Sequence, residues 1–249
     1  MKRFLGTISF FAVTLTASAD TIADIRAAIM SLQATTPARA TIEMQRFRKA
    51  EGRFANNLSN GGISVNVSTD ANGLQVVFPL ELLDRAAREA LEHQEDPKRP
   101  TPTQSALSEV DATSVAESLD FRAPLLRLLS IATVQGESGV IWHGAPARLI
   151  VMKLTPKLWK EATSIWNVRF SEDRLNMWIG NDNVPLAAER VQKGTAGFLF
   201  LRGEMASHES WTFAHVADRL VVARYENSFA GSGFGQRGEG KTVHVVTMR

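Results

Sequence analysis

Apolar residues recur at every third or fourth position in three segments, which is the spacing of one face of an α-helix. The sequence therefore predicts an amphipathic helix over 22–33, a second helix over 79–95, and a helical region over 105–134 that is broken at Pro124. Three prolines between 97 and 102 favour an extended, exposed linker over 96–104. The segment from 79 to 134 is thus predicted to be a helical insertion.

Most of the remaining chain alternates at the spacing of β-strands and is divided by short turns. The early strands are predicted at 41–50, 63–67 and 74–78, and Asp70-Ala71-Asn72-Gly73 is typical of a hairpin turn. Later strands are predicted at 147–154, 167–170, 174–179, 185–191, 197–204, 210–216, 220–226 and 242–248. Because such short links cannot hold a crossover, neighbouring strands are expected to be antiparallel. We predict a mostly β (α+β) fold, with about eleven strands in one strongly curved antiparallel sheet or half-barrel and helices covering one face.

Some predicted strands are apolar on both faces. In 197–201, Phe198 and Phe200 lie on one face and two leucines lie on the other. This pattern predicts that both faces of the sheet are covered, since a wetted face is normally polar. Two arrangements remain open at this point: the helices fill the sheet and leave no cavity, or they form a lid over a concave apolar pocket.

The N-terminal segment has the order of a secretory signal peptide. Lys2 and Arg3 precede an apolar run over 4–15, and Ala17-Ser18-Ala19 follows it. The run is shorter than the roughly 18 apolar residues that a membrane span needs. We therefore expect cleavage between Ala19 and Asp20, a periplasmic location, and a soluble single domain over 20–249.

Composition narrows the class of function. The count Cys 0 excludes disulfides and lipid attachment at a cysteine. The chain has Lys+Arg 28 and Asp+Glu 26, and removal of Lys2 and Arg3 would make the two counts equal. Because duplex binding rests on a basic surface, this balance argues against nucleic acid as a partner. We expect a monomer.

Two glycine motifs near the C-terminus match nucleotide-binding patterns in their letters. Residues 235–242 read G-x-x-x-x-G-K-T, and residues 233–238 read G-x-G-x-x-G. Both motifs need a helix after the glycines to hold phosphate, whereas the valines that follow Thr242 predict a strand. We interpret Gly231 to Gly240 as a hairpin loop, place Lys241 in a strand, and expect no cofactor.

Metal and catalytic patterns are not recognisable either. The chain has His 5, but no two histidines have the spacing of a helical zinc motif, and no serine lies in a G-x-S-x-G turn. We therefore predict no metal site and no enzyme activity. A hydrolase remains the least favoured alternative, because residues distant in sequence can converge in a fold.

The order of the predicted elements resembles that of the periplasmic lipoprotein-localisation carriers. Two local stretches carry the likeness: 218–224, and Arg174-Leu-Asn-Met-Trp-Ile-Gly-Asn-Asp-Asn-Val-Pro185, which is similar to a strand-turn-strand segment of that family. Gly180 stands where the family has an acidic residue. The resemblance implies a half-barrel with a helical lid that binds acyl chains of lipids or lipoproteins without catalysis.

The sequence as a whole predicts a non-catalytic binding or carrier protein for a hydrophobic, acyl-chain ligand. Aromatic side chains either fill a core or line such a pocket. We expect Phe198 and Phe200 to line the ligand site, with Trp178 and Trp211 contributing, and strand periodicity places Trp178 on the face of Arg174 and Asn176. The alternative is an envelope protein-interaction or structural module with a filled core and transient protein partners.

Overall fold

The computed structural model describes residues 18–52, 57–155, 167–198, 201–233 and 235–249. Most of the expected signal peptide therefore lies outside the described residues. The helices of the described part are α1 (Ser18–Ser31), α2 (Leu80–Glu95), α3 (Pro102–Leu107), α4 (Ala112–Leu119) and α5 (Arg122–Ser130). Its strands are β1 (Ala38–Gly52), β2 (Asn57–Asp70), β3 (Gly73–Val77), β4 (Ala132–Trp142), β5 (Ala145–Leu154), β6 (Asn167–Ile179), β7 (Pro185–Phe198), β8 (Leu201–Val216), β9 (Arg219–Gly233) and β10 (Gln236–Met248).

All ten described strands form one curved antiparallel sheet in the order β3-β2-β1-β10-β9-β8-β7-β6-β5-β4. The last strand, β10, pairs with β1, so the long meander from β4 returns to the start of the domain. The sheet is not closed, because β3 and β4 lie at its two edges. The predicted mostly β, half-barrel class with added helices is confirmed.

The helices lie on one face of this sheet. The chain leaves one edge at β3 and re-enters the other edge at β4, so α2 to α5 must cross the sheet. In doing so α3 contacts β1 and β2, α4 contacts β9, and α1 packs against α5 and β4. None of these helices, within the described residues, is long and apolar enough to cross a membrane.

Among the described residues, the face of the sheet away from the helices carries exposed side chains, contrary to the prediction that both faces are covered. Along β1, Ile42 and Met44 are buried under the helices, whereas Glu43 is exposed. On β3, Val77 keeps 57% of its surface accessible. Apolar residues on the outer face are tolerated there, because much of any protein surface is apolar.

The covered face holds two hydrophobic clusters. The first lies under α1 and α5, and includes Ile25, Leu125 and Met177. The second lies under α2, α3 and α4, and includes Ile42, Leu119 and Val246. Each fully buried aliphatic side chain contributes about 1.5–3 kcal/mol, so these clusters fix the helices on the sheet.

Several strand boundaries differ from the prediction because polar residues lie inside strands. Ser171-Glu172-Asp173 reads as a turn, yet β6 continues through it with a β-bulge after Phe170. Its polar side chains have cross-strand partners, as in the 2.9 Å ion pair between Glu172 and Lys193. Lys193-Gly194, also turn-like, lies inside β7. The strand predicted at 197–204 is divided, because β7 ends at Phe198 and β8 begins at Leu201.

Two further elements were predicted incorrectly. β4 occupies residues that were partly assigned to the helical region 105–134 and partly left without an element. The glycine-rich hairpin loop over 231–240 is mostly paired strand, since Gly231 lies opposite Gly238 in the β9–β10 ladder. Strand β9 ends at Gly233 and β10 begins at Gln236.

Pro102 and Pro124 lie in the first turns of helices and do not interrupt them. The predicted break at Pro124 was wrong: the chain interrupts its helix at Asp120 and Phe121, and Pro124 lies in the first turn of α5. A missing N–H costs nothing in a first turn. Likewise Pro102 opens α3, and Thr103 beside it is buried and donates two hydrogen bonds to Glu89. The expected exposed linker therefore ends before Pro102.

Candidate functional site

A cavity of about 410 Å³ lies between α4, α5 and the covered face of β7 to β10. Its volume falls in the range of small-molecule sites, roughly 300–1,000 Å³. One part of the lining is apolar and aromatic, and consists of Phe121, Pro124, Leu128, Ile131, Trp211 and Val222. The other part is polar, and consists of Ser114, Glu117, Ser118, Arg127, Ser130, Arg190, Glu209, Tyr225 and His244.

The strand register explains why residues distant in sequence meet at this cavity. Residues directly opposite each other in neighbouring strands point to the same face of a sheet. Ala188 lies opposite Trp211, Trp211 opposite Tyr225, and Tyr225 opposite His244. Two residues after Ala188 in β7, Arg190 lies opposite Glu209 of β8, and this pair forms the adjacent row. The four strands thus present one aromatic row and one charged row to the helices.

The helical side of the cavity is positioned by a cap and by one backbone contact. Asp111 caps α4, accepting hydrogen bonds from the N–H groups of Thr113 and Ser114 at 2.8 and 2.9 Å. Between α4 and α5, the N–H of Phe121 donates to the carbonyl of Leu220 in β9 at 2.8 Å. Helix α4 ends at Leu119 and α5 begins at Arg122, so Phe121 lies in the short link between them. The contact with Leu220 therefore holds Phe121 against the sheet.

The aromatic rings form a continuous row along the cavity wall. The ring centroid of Phe121 lies 5.5 Å from that of Trp211, and Trp211 lies 5.8 Å from Tyr225 with 30° between their planes. The row ends at His244, 5.4 Å from Tyr225. Such spacings are those of favourable aromatic contacts. The wall is therefore rigid and apolar at the Phe121 end and polar at the His244 end.

The charged row is held by a buried ion pair. Arg190 donates from Nε and Nη2 to the two carboxylate oxygens of Asp173, at 2.9 Å each. Arg190 Nη1 lies 3.9 Å from Glu209 Oε2, and the hydroxyl of Tyr225 donates to Glu209 Oε1 at 3.1 Å. Burial raises the pKa of Glu209, although the charge of Arg190 opposes this rise. Burial and then the nearby Glu209 raise the pKa of Tyr225.

His244 is a buried polar group at the end of the aromatic row. Only 6% of the residue is exposed, and its Nε2 atom has no hydrogen-bond partner within the described part of the chain. Burial lowers the pKa of His244, and the carboxylate of Asp111 only partly offsets this effect. The imidazole is therefore neutral at neutral pH, with one ring nitrogen unsatisfied beside the cavity.

The predicted ligand residues have different positions. Trp211 lines the cavity. Trp178 does not, because its neighbour Met177 belongs to the covered face and consecutive strand residues point to opposite faces. It lies on the face of Arg174 and Asn176, as strand periodicity predicts, with its ring centroid 4.9 Å from that of Trp142. The side chain of Phe198 and the whole of Phe200 lie outside the described residues.

Most of the cavity residues were not predicted from the sequence. Glu209, Trp211 and Phe213 alternate along β8, so their shared face was readable from the sequence. Tyr225, the single tyrosine of the chain, was not singled out. Phe121 was not recognised because it lies within the region 105–134, which was predicted to be helical. Nothing local indicates that these residues meet, since the contact depends on which strands are neighbours.

Metal and nucleotide chemistry receive no support from the geometry. No group of three or more His, Asp or Glu side chains in the described ranges is arranged to hold a metal ion. Lys241 lies in β10, as predicted, and its Nζ atom pairs with Glu226 Oε2 at 2.8 Å.

The chain matches no family model, no curated protein and no solved structure.

Proposed function

We propose that this chain is a non-catalytic carrier or binding protein for a hydrophobic ligand with an acyl chain, such as a lipid or the lipid part of a lipoprotein. The observation that carries the proposal is the cavity of about 410 Å³ between α4, α5 and the sheet. Its apolar wall, formed around Phe121, Leu128 and Trp211, suits a hydrocarbon chain. The order of elements, similar to that of the lipoprotein-localisation carriers, supports the same function.

Burial of the hydrocarbon chain supplies a large part of the binding free energy. Each buried methylene contributes about 0.8 kcal/mol. A chain with about ten enclosed methylenes therefore gains about 8 kcal/mol, which offsets a typical association cost of about 4–15 kcal/mol only when the site is preorganised. The fixed aromatic row from Phe121 to Tyr225 supplies such preorganisation. The cavity also favours a carrier over a module with a filled core.

The proposal includes export to the periplasm. It rests on the signal-peptide pattern that ends at Ala17-Ser18-Ala19. Ala19 and Asp20 fall in the first turn of α1, so cleavage between them would leave nearly all of this helix. N-terminal sequencing of the secreted protein is expected to begin at Asp20, and recovery of Met1 from the same fraction would contradict export by this route.

Quenching of tryptophan fluorescence tests the carrier function at the cavity itself. A lipid with a brominated acyl chain quenches a tryptophan that it contacts, so we expect saturable quenching by such a lipid. Two conservative variants locate the chain: quenching should persist in Trp178→Phe, on the opposite face, and fall in Trp211→Phe, at the cavity. Native mass spectrometry of the purified protein is expected to show co-purifying lipid. No saturable quenching, or equal quenching in both variants, would contradict the proposal.

A protein-interaction module is the second candidate, and one observation favours it. Leu80, Leu83 and Leu91 are 72%, 45% and 61% exposed along α2. Exposed apolar residues on one helix are typical of docking surfaces. If the quenching experiment fails while Leu80→Ser and Leu91→Ser reduce crosslinking to envelope proteins, this candidate replaces the carrier.

A further inference from the structure

The charged groups around the cavity leave one carboxylate in excess. Arg190 is paired with Asp173 through two hydrogen bonds of 2.9 Å, and Arg127 donates to Glu117 at 2.7 Å. Each arginine thus has a carboxylate of its own. Glu209 lies 3.9 Å from the Nη1 atom of Arg190, beyond hydrogen-bond distance. In the described part of the chain, the one hydrogen bond that Glu209 accepts comes from the neutral hydroxyl of Tyr225.

The hydroxyl donors at the cavity are already used within the protein. All four hydroxyl groups of its lining donate to a protein acceptor. These bonds run from Ser114 to the carbonyl of Asp111 at 3.1 Å, from Ser118 to that of Ser114 at 2.8 Å, from Ser130 to that of Arg127 at 2.7 Å, and from Tyr225 to Glu209 at 3.1 Å. The hydroxyl groups of the lining therefore give a ligand no free donor, whereas Glu209 keeps free acceptor capacity.

An unsatisfied buried atom independently indicates a missing partner. His244 is 6% exposed, lines the cavity, and has no hydrogen-bond partner for Nε2 among the described residues. Leaving a buried polar atom unpaired is costly, so such atoms in native proteins are usually satisfied by a bound molecule or water. Since burial keeps the imidazole neutral, Nε2 accepts a hydrogen bond when the ring proton is on Nδ1.

We infer that the cavity binds an amphiphile with a cationic amine end, whose ammonium group is held by Glu209 and by the rings of Trp211 and Tyr225, with His244 Nε2 as a further acceptor. This inference rests on the proposed function, because it assigns the polar end of the same ligand. An ammonium group brings a positive charge for the carboxylate of Glu209 and hydrogen-bond donors for Glu209 and His244 Nε2. Cations are also attracted to the faces of tryptophan and tyrosine rings.

An anionic end fits the site less well. A carboxylate or phosphate would meet the charge of Glu209, while both arginines are already neutralised by Asp173 and Glu117. Two sources carry the required chemistry: a single-chain amine, and the ethanolamine headgroup of a lipid. Their shared ammonium group is what the site is expected to recognise.

Displacement of a neutral fluorescent probe by ligands of equal chain length tests the inference on the full-length protein. The ligands are dodecylamine, dodecanol, dodecanoate and a lysophosphatidylethanolamine with the same chain. We expect dodecylamine to bind about tenfold more tightly than dodecanol, with dodecanoate weakest, because an ammonium–carboxylate hydrogen bond and a cation–π contact are added. Glu209→Gln should reduce the preference to within about twofold, while Glu204→Gln, an exposed position on the same strand, should leave it unchanged.

The possible results of the displacement experiment separate the amine assignment from the carrier function. Equal binding of dodecylamine and dodecanol, or a preference that survives Glu209→Gln, overturns the amine assignment and leaves the carrier function standing. Binding of none of the four ligands overturns both. Tight binding of dodecylamine together with the lysolipid supports a lipid headgroup, and tight binding of dodecylamine alone supports a free amine. Urea unfolding of Glu209→Gln, which keeps the acceptor for Tyr225, verifies that the variant is folded.

Discussion

Asp173 and Arg190 form a two-point ion pair across β6 and β7, under the polar end of the cavity. The Asp173 side chain is 3% exposed and that of Arg190 is 14% exposed. Gln192 adds a third hydrogen bond to Asp173 at 3.3 Å. Because a charge removed from water must be paired, this arrangement allows two charged residues to lie inside the covered face and to fix the position of the Arg190 guanidinium beside Glu209.

Removing Asp173 is therefore expected to destabilise the fold strongly. Asp173→Ala removes both hydrogen bonds of the buried Arg190 guanidinium and leaves it only Glu209 at 3.9 Å, so we expect a loss of about 3–5 kcal/mol in the free energy of unfolding. The neighbouring Glu172→Ala removes a more exposed pair with Lys193 and should cost at most about 1 kcal/mol. Urea unfolding of the two variants measures the difference, and equal losses would contradict the assigned role of Asp173.

Gly61 allows α3 to approach β2. A Cβ atom at Gly61 would lie 1.9 Å from the carbonyl oxygen of Pro102, whereas one at Gly62 would lie 3.4 Å or more from its neighbours. We expect Gly61→Ala to displace the start of α3 and to lower the free energy of unfolding by about 1–3 kcal/mol. Gly62→Ala should have a smaller effect. Thermal unfolding of the pair provides the comparison, and a larger loss for Gly62→Ala would show that α3 is placed differently.

His244 makes stability depend on pH below neutrality. Burial lowers its pKa in the folded state relative to the ordinary value of 6.5. The folded state therefore favours the neutral ring, so its contribution is present above about pH 6.5 and is lost as the pH falls toward the folded-state pKa. We expect the wild type to lose more stability than His244→Gln between about pH 7 and pH 5. Urea midpoints that change in parallel for both proteins would exclude this role.

Amine binding is expected to strengthen as the pH rises. Burial raises the pKa of Glu209, so its carboxylate ionises at a higher pH than an ordinary glutamate. The proposed ammonium partner favours the ionised form, and affinity for dodecylamine should therefore increase through this range and then level off. The Glu209→Gln variant should lack that rise. Any pH dependence of the affinity that the wild type and Glu209→Gln share would come from the other titratable groups nearby, His208 and His244. An affinity for dodecylamine that falls with increasing pH in the wild type would contradict the assignment.

Lys241 is expected to have no part in nucleotide binding. It lies in β10 opposite Ser228, and its ion pair with Glu226 leaves about half of its side chain exposed. Lys241→Ala should therefore change the free energy of unfolding by at most about 1 kcal/mol. Calorimetry with ATP is expected to show no saturable binding to either protein; saturable binding that Lys241→Ala abolishes would reinstate the phosphate-loop interpretation of 235–242.

The sequence by itself determined the class of the fold, because helical and strand periodicities are local properties. The spacing of Ile25 and Ile29 indicated α1, and Asp70-Ala71-Asn72-Gly73 indicated the hairpin between β2 and β3. Short links between strands required an antiparallel meander. The same local pattern failed where a polar residue has a distant partner: Asp173 reads as part of a turn, but Arg190 lets it lie buried within β6.

Only the tertiary structure decided which residues share a site. Trp178 and Trp211 both lie in apolar, strand-like sequence, and a shift of one residue in register exchanges the two faces of a strand. The ladder that sets Met177 opposite Ala188, and Ala188 opposite Trp211, places Trp211 under the helices and Trp178 on the outer face. The cavity itself depends on strand neighbours and on the crossing of α4 and α5, which are long-range contacts that no local pattern specifies.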